Sequence, residues 1–234
     1  MTFEAAQRAF AGADNRDVWV VIPLYNEATV IAEVVSGLLL HFPNVVCIDD
    51  GSQDHGGRIA REAGARIITH PINLGQGAAL QTGFEYALER DAHYVVTFDA
   101  DGQHRVEDAS AMVERARIED LAIVFGSRFL DERTQPGFLK KLVLKSAVAA
   151  TNWATKTRLT DAHNGLRVIR ADALRQIKLK QDRMAHGTEI IVQLGRTRLP
   201  YAEQPVQVLY TDYSKSKGQS LLNSINILIE LIIR

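Results

Sequence analysis

Short apolar runs alternate along this chain with longer stretches in which apolar positions recur at helical spacing. Residues 18–22, 45–48, 66–69, 94–98 and 121–125 are compact, β-branched-rich runs of the kind that form buried strands. Between them the pattern predicts a helix from about Glu27 to His41 capped by Asn26, and a second carrying Gly57, Arg58 and Glu62. Two more helices are predicted over 75–89 and 106–118. Pro23 closes the first strand, and polar turns close the second and fourth. Beyond Phe129 the rhythm weakens: helices are expected over 140–156 and 186–198, with strands over 166–169 and 206–210. Strand–helix alternation of this kind predicts an α/β fold with a mainly parallel sheet and helices on both faces.

We divide the chain into a lead-in over 1–16, one α/β domain over 17–212, and a C-terminal part over 213–234. In the last part, Asn223, Asn226, Glu230 and Arg234 form a narrow polar stripe on an otherwise apolar helix. Residues 221–234 would reach only ~21 Å as a helix, short of the ~30 Å of a hydrocarbon core. An amphipathic helix lying on a membrane, on a small membrane partner or on a second copy of the chain is expected, not a span. No basic segment followed by an apolar run opens the chain, so no signal peptide is expected.

Composition narrows the function classes. The 234 residues carry 27 Lys plus Arg against 28 Asp plus Glu, a formal net charge of −1. That balance gives no electrostatic case for a nucleic-acid partner. The single cysteine, Cys47, lies in a predicted strand and reads as a small core residue. A reducing compartment is the default, and we expect a cytoplasmic protein.

The chemistry sits where ligands bind in parallel sheets, beyond the carboxyl ends of the strands. Asp99-Ala100-Asp101 follows the fourth strand, and alternate residues of an extended segment point the same way. Two carboxylates so placed repel unless a cation lies between them, and hard oxygens suit Mg²⁺ or Mn²⁺. Gln103 and His104 follow as further ligands or water holders. Asp49-Asp50-Gly51-Ser52 can accept from a ribose hydroxyl or a base N–H, or cap a helix through Ser52 or Asp54. Tyr25 can stack on a base, and Glu27 can accept hydrogen bonds. Asn73-Leu74-Gly75-Gln76-Gly77 opens a helix but lacks the lysine of a Walker loop, so a tight packing turn is the plainer reading. Of the seven histidines only His104 lies beside a proposed site.

Taken together, Ile22-Pro23-Leu24-Tyr25-Asn26-Glu27, Asp49-Asp50-Gly51-Ser52-Gln53-Asp54, Asn73-Leu74-Gly75-Gln76-Gly77 and Asp99-Ala100-Asp101-Gly102-Gln103-His104 resemble the family 2 glycosyltransferases. The resemblance covers residues 17 to about 130 and implies a GT-A fold, a nucleotide-sugar donor and a divalent metal, Mg²⁺ or Mn²⁺. It places Pro23, Tyr25, Glu27, Ile48 and Asp50 on the nucleoside. Asp99, Ala100, Asp101 and Gln103 would hold metal and diphosphate. Gly126-Ser127-Arg128-Phe129 is similar to a further family segment, which makes Arg128 a phosphate contact and a catalytic candidate.

The second half is similar to the polyprenyl-phosphate (dolichol-phosphate mannose synthase-like) branch. Its bearers are Thr160-Asp161-Ala162-His163-Asn164-Gly165-Leu166-Arg167, Glu189, and the Ser216-Lys217 pair. Where that branch has an arginine this chain has Thr211, with Lys215 as the neighbouring cation. The resemblance implies inverting transfer of a hexose from a GDP-mannose or UDP-glucose type of donor to a lipid phosphate at the inner face of a membrane. Arg167, Lys215 and Lys217 would then bind the acceptor phosphate. Asp161 is the base if the acceptor is a hydroxyl, and orients Arg167 or the acceptor if it is a phosphate. A transferase acting on a sugar or protein hydroxyl, and a non-catalytic nucleotide-sugar-binding subunit, remain open. A nicotinamide oxidoreductase does not fit, because the first strand–helix turn has no glycine to admit a pyrophosphate.

Overall fold

Valine and isoleucine dominate the first two strands, and their alternation sends side chains into two separate cores. In a computed structural model, which describes residues 14–130, 152, 158–161, 164–180 and 186–209, β1 (Val18–Leu24) is flanked by β2 (Asn44–Asp49) and β4 (Tyr94–Thr97). Val18, Val20, Ile22 and Leu24 face one layer of helices, α1 (Ile31–Leu39), α2 (Gly56–Glu62) and α4 (Val106–Ile118). Trp19 and Val21 face the other, α3 (Gln76–Leu88), α5 (Ala171–Leu174) and α6 (His186–Thr197). Burial of each such side chain contributes about 1.5–3 kcal/mol. Three layers with helices on both faces are the architecture the pattern predicted.

With β3 (Arg66–Thr69), β5 (Ile123–Ser127), β6 (Arg167–Arg170) and β7 (Tyr201–Pro205), the sheet runs β3-β2-β1-β4-β6-β5-β7. Every neighbouring pair is parallel except the two that involve β6. The chain moves outward from β1 to β3 and returns to β4 on the other side of β1. The crevice where ligands collect in such sheets therefore lies at the carboxyl ends of β1 and β4.

Three local expectations are corrected. The first strand runs on through Pro23 to Leu24, because Pro23 still pairs in register with Ile48. The first helix begins at Ile31, not near Glu27, and Asn26 does not cap it. Asn26 sits at φ 54, its N–H donates to Ser52 Oγ at 3.1 Å, and its Oδ1 accepts from Gln53 N at 2.8 Å. Asp54 completes this loop-to-loop lacing by accepting from Ala28 N and Gly56 N, each at 2.9 Å. The expected strand over 206–210 is instead Tyr201–Pro205, an edge strand whose mixed sequence hides it from a periodicity search. After Pro205 the chain makes one bond to β5, Val206 N to Ser127 O at 3.0 Å, and crosses to the loop after β4. Gln207 N donates to Asp108 Oδ2 in the first turn of α4 at 2.7 Å, and Leu209 N to Gln103 O in that loop at 2.8 Å. The helix expected over 140–156, apart from helical Asn152, lies outside the described residues, as do Thr211, Lys215, Lys217 and the C-terminal amphipathic helix.

Candidate active site

One rim of the sheet gathers almost every polar residue singled out above. β1, β2, β4 and β5 deliver Tyr25, Asp50, Asp99 and Arg128 from their carboxyl ends. β6 runs the other way, so its first residue reaches the same rim: Arg167 is in register with Thr97 of β4 and Phe125 of β5. Thr97 Oγ1 donates to Gly165 O at 2.6 Å and ties the approach to β6 onto the end of β4.

On the β1–β2 side, Tyr25 is 43% exposed, whereas Ile48 is fully buried in the core and Ala100 nearly so. The side chains of Ile48 and Ala100 are packing elements in this structure, and only their backbone borders the rim. Asp50 is buried, and three protein donors hold its carboxylate: His70 Nδ1 at 2.7 Å, Leu74 N at 3.0 Å and Gly75 N at 2.7 Å. An ionised carboxylate only accepts, so His70 donates to it from Nδ1, and its Nε2 lies 3.0 Å from Thr82 Oγ1. Asp50 thus fixes the loop that leads into α3, and Gly75, at φ 100, makes the turn. The expectation that His104 alone among the histidines serves the site is corrected: His70 does too. Its signal was weak, a lone histidine just past a short strand.

At the centre, Asp99 Oδ1 accepts from Gln76 Nε2 at 3.2 Å, and Oδ2 lies 3.0 Å from His104 Nε2. Gly165 packs so closely that a Cβ there would fall 2.1 Å from Asp99 Oδ2. Gln76 comes from the glycine-rich segment that reads as a packing turn; the structure gives it this second task. Asp101 is pushed up to about 6, first by burial and then by the charge of Asp99, with Glu27 adding to it and the Gln103 amide opposing it. Asp101 Oδ1 accepts that amide at 3.0 Å. A divalent cation between the two carboxylates would relieve their mutual repulsion. Among the described residues no three His, Cys, Asp or Glu close around a metal position. Two carboxylates with the side-chain oxygen of Gln103 are an open hard-oxygen set, which fits Mg²⁺ or Mn²⁺ completed by water and substrate phosphates.

On the β5–β6 side, Arg128 and Asp161 form a bidentate pair, Nε to Oδ2 at 2.6 Å and Nη2 to Oδ1 at 2.8 Å. Arg128 N adds a bond to Oδ2 at 3.1 Å. Asp161 is 2% exposed. Arg167 is buried; burial lowers its basicity while the charges of Asp99 and Asp161 raise it. It approaches the start of α6, where a Cβ on Gly187 would lie 3.8 Å from Arg167 Nη2. Glu189, also on α6, accepts from Lys180 N at 3.2 and 3.0 Å and from Gln193 Nε2 at 3.0 Å, which anchors the preceding loop.

The glycosyl transferase family 2 model matches residues 19–178, a span that holds the whole rim from β1 to Arg167. The chain belongs to that family. It is a glycosyltransferase, and its three-layer sheet is the GT-A fold. An uncharacterized protein of Methanocaldococcus jannaschii is 33% identical over 94% of this chain and 93% of its own length. The UDP-N-acetylglucosamine–dolichyl-phosphate N-acetylglucosaminyltransferase of Methanococcus voltae is 29% identical, covering 92% of this glycosyltransferase and 94% of the relative. The undecaprenyl-phosphate mannosyltransferase of Micrococcus luteus is 28% identical, covering 88% and 87%. Among solved structures, glucosyl-3-phosphoglycerate synthase from Mycobacterium tuberculosis matches with a TM-score of 0.65 at 20% identity, over 99% of this chain and 84% of that one. No helix among the described residues of the glycosyltransferase is long and apolar enough to cross a membrane.

Proposed function

We propose that this glycosyltransferase moves a hexose, with inversion, from a GDP-mannose or UDP-glucose type of donor to the phosphate of a polyprenyl phosphate. The observation that carries the reading is the state of Asp161. Both of its oxygens are taken by Arg128, so the site presents guanidinium groups to an acceptor and not an open carboxylate base. A hydroxyl acceptor needs a base at its proton. A phosphate is already an anion and needs cations to approach a diphosphate donor. The M. voltae and M. luteus relatives, whose names specify dolichyl and undecaprenyl phosphate, support the same reading.

In this scheme Tyr25 stacks on the nucleobase, Pro23, Glu27, Ile48 and Asp50 border the nucleoside, and Ala100 borders the diphosphate. Asp99, Asp101 and Gln103 are the groups that would hold Mg²⁺ or Mn²⁺, whose chemistry when bound is to balance the charge of the departing diphosphate. Arg128 and Arg167 face the phosphates of donor and acceptor. Lys215 and Lys217 belong to the polar segment that begins just past Leu209, itself bonded to Gln103, and we assign them to the acceptor phosphate. The C-terminal helix would rest on the inner face of the membrane that carries the lipid, on a small membrane partner, or on a second copy of the chain.

The test is transfer of radiolabelled sugar from GDP-mannose, UDP-glucose and UDP-N-acetylglucosamine into organic-extractable lipid, with undecaprenyl or dolichyl phosphate and Mn²⁺. One donor should label the lipid, and EDTA should stop it. Label that goes only to a hydroxyl-bearing acceptor, or stays on the donor in every combination, would overturn the reading.

A further inference from the structure

Outside the family match, on the edge strand β7, one carboxylate faces the Arg128–Asp161 pair from behind. Glu203 is half-buried and lies in register with Phe125 of β5. Both of its oxygens accept from Thr160 N at 2.8 Å; Oε1 also accepts from Asp161 N at 3.1 Å and Thr160 Oγ1 at 3.0 Å. Two residues earlier on the same face of β7, Tyr201 OH accepts from Arg158 N at 3.2 Å. The edge strand therefore holds the backbone that carries Asp161.

The same carboxylate reaches Arg128 by a directional relay. Thr160 has one hydroxyl proton and gives it to Glu203. In the 2.6 Å contact between Ser127 Oγ and Thr160 Oγ1, Ser127 is then the donor. Ser127 Oγ in turn accepts from Phe129 N at 3.2 Å. The residues on both sides of Arg128 are thereby fixed to the group that fixes Asp161. From the other side, Arg115 Nη1 donates to Glu203 O at 2.8 Å and to Gln204 Oε1 at 3.1 Å, which locks β7 to α4.

A carboxylate in this place is costly. Burial and the neighbouring Asp161 push the Glu203 carboxyl up, and the donors from Thr160 and Asp161 oppose them. We propose that Glu203 is a positioning residue of the transfer reaction, one acceptor group that sets the Arg128–Asp161 pair from both sides. Its task is the register between residues 127–129 and 160–161, two segments that no sheet ladder joins. The role in turnover rests on the proposed function; the role in geometry does not.

The test uses Glu203→Gln, which keeps size but turns an amide NH₂ toward the Thr160 N–H, and Thr160→Val, which cuts only the relay. Binding of UDP and GDP with Mn²⁺, read by calorimetry, should stay within about twofold of wild type, since their nucleoside and the metal engage the other half of the rim and Arg128 keeps its charge in both variants. Turnover with undecaprenyl phosphate should fall by about 10²-fold in kcat, with KM for the donor unchanged, as expected for a small misplacement of phosphate-facing groups. The loss should not add to that of Arg128→Lys, because both act on one unit. Amide exchange should quicken by about tenfold or more at Thr160 and Asp161 in Glu203→Gln, and at Phe129 in both variants, while Ile123 and Val124 keep their protection. Turnover within about threefold of wild type, or nucleotide binding that falls in step with turnover, would overturn the proposal. If the wild type transfers sugar to no acceptor, the functional reading fails instead, and amide exchange still decides whether Glu203 holds the pair. If Glu203→Gln does not fold, Thr160→Val carries the test: unchanged exchange at Phe129 would refute the relay.

Discussion

Asp101 should make the metal-free protein less stable than it would be with an uncharged side chain in the same place. Its carboxyl stands at about 6 against an ordinary 3.8. At about 1.4 kcal/mol per pH unit, the ionised form costs the fold about 3 kcal/mol, an upper figure because some solvent reaches the site. A pKa raised on folding means that the folded state holds the proton more tightly. Wild-type stability therefore falls as pH rises from about 4 to about 6, and stays low above that. Asp101→Asn has no proton to lose, and its Oδ1 can still accept from Gln103 N. In EDTA at pH 7.5, urea unfolding should show the variant more stable by about 2–3 kcal/mol, and at pH 4 the difference should shrink toward zero. Saturating Mn²⁺ should reverse the order at pH 7.5, because only the wild type gains binding free energy. A variant less stable than wild type at pH 7.5 without metal, or a gap of equal size at both pH values, would refute the reasoning.

Four further outcomes follow from the same contacts. Gly165→Ala must displace the Asp99 carboxylate, so Mn²⁺-dependent nucleotide binding should weaken by about tenfold or more in calorimetry while the far-ultraviolet spectrum is retained. Asp50→Ala leaves Leu74 N, Gly75 N and His70 without their acceptor and should cost about 2–3 kcal/mol in urea unfolding. Arg128→Lys keeps the charge but loses the two-pronged grip on Asp161, so kcat should fall by about 10²-fold with donor binding little changed. Arg167→Met removes a buried cation between Asp99 and Asp161 and should cost about 3 kcal/mol or more, whereas Arg170→Ala, which breaks partly exposed pairs with Asp120 and Asp172, should cost about 1 kcal/mol.

What could be read from the sequence was whatever repeats locally. The β-branched runs of β1, β2 and β4 stand out because both faces of those strands are buried, and the turns after them carry their chemistry within a few residues. Long-range polar pairing has no such periodicity. Asn26 looks like a helix cap because Asn is a good cap, yet its side chain is used 27 residues away at Gln53. Asp50 needs His70, and Arg128 needs Asp161 across 33 residues. Strand β7 was missed because Tyr201–Pro205 alternates weakly on an edge and ends in a proline. Its glutamate would have been visible only as a charge at an inward-facing position, and that reading first requires the strand.

The direction of β6 explains how one short strand serves two unrelated ends of the molecule. Its sequence, Arg167-Val168-Ile169-Arg170, is nearly symmetric, with an arginine at each end. In the observed antiparallel pairing Arg167 sits beside Thr97, two residues from Asp99, and Arg170 sits beside Tyr94 at the opposite edge. Arg170 is there satisfied by Asp120, through Nη1 at 2.6 Å, and by Asp172. A parallel β6 would bring its far end to the rim and take Gly165 away from Asp99. The glycine and the arginine two residues later arrive at the carboxylates together only because the strand starts there. A parallel sheet supplies its rim with strand ends followed by turns, which are rich in carboxylates and poor in buried cations. One reversed strand adds a guanidinium held by the sheet itself, where burial lowers its basicity and the two aspartates it faces sustain its charge. In the proposed function, that guanidinium is what would let two anionic phosphates meet at a site whose own carboxylates would otherwise repel them.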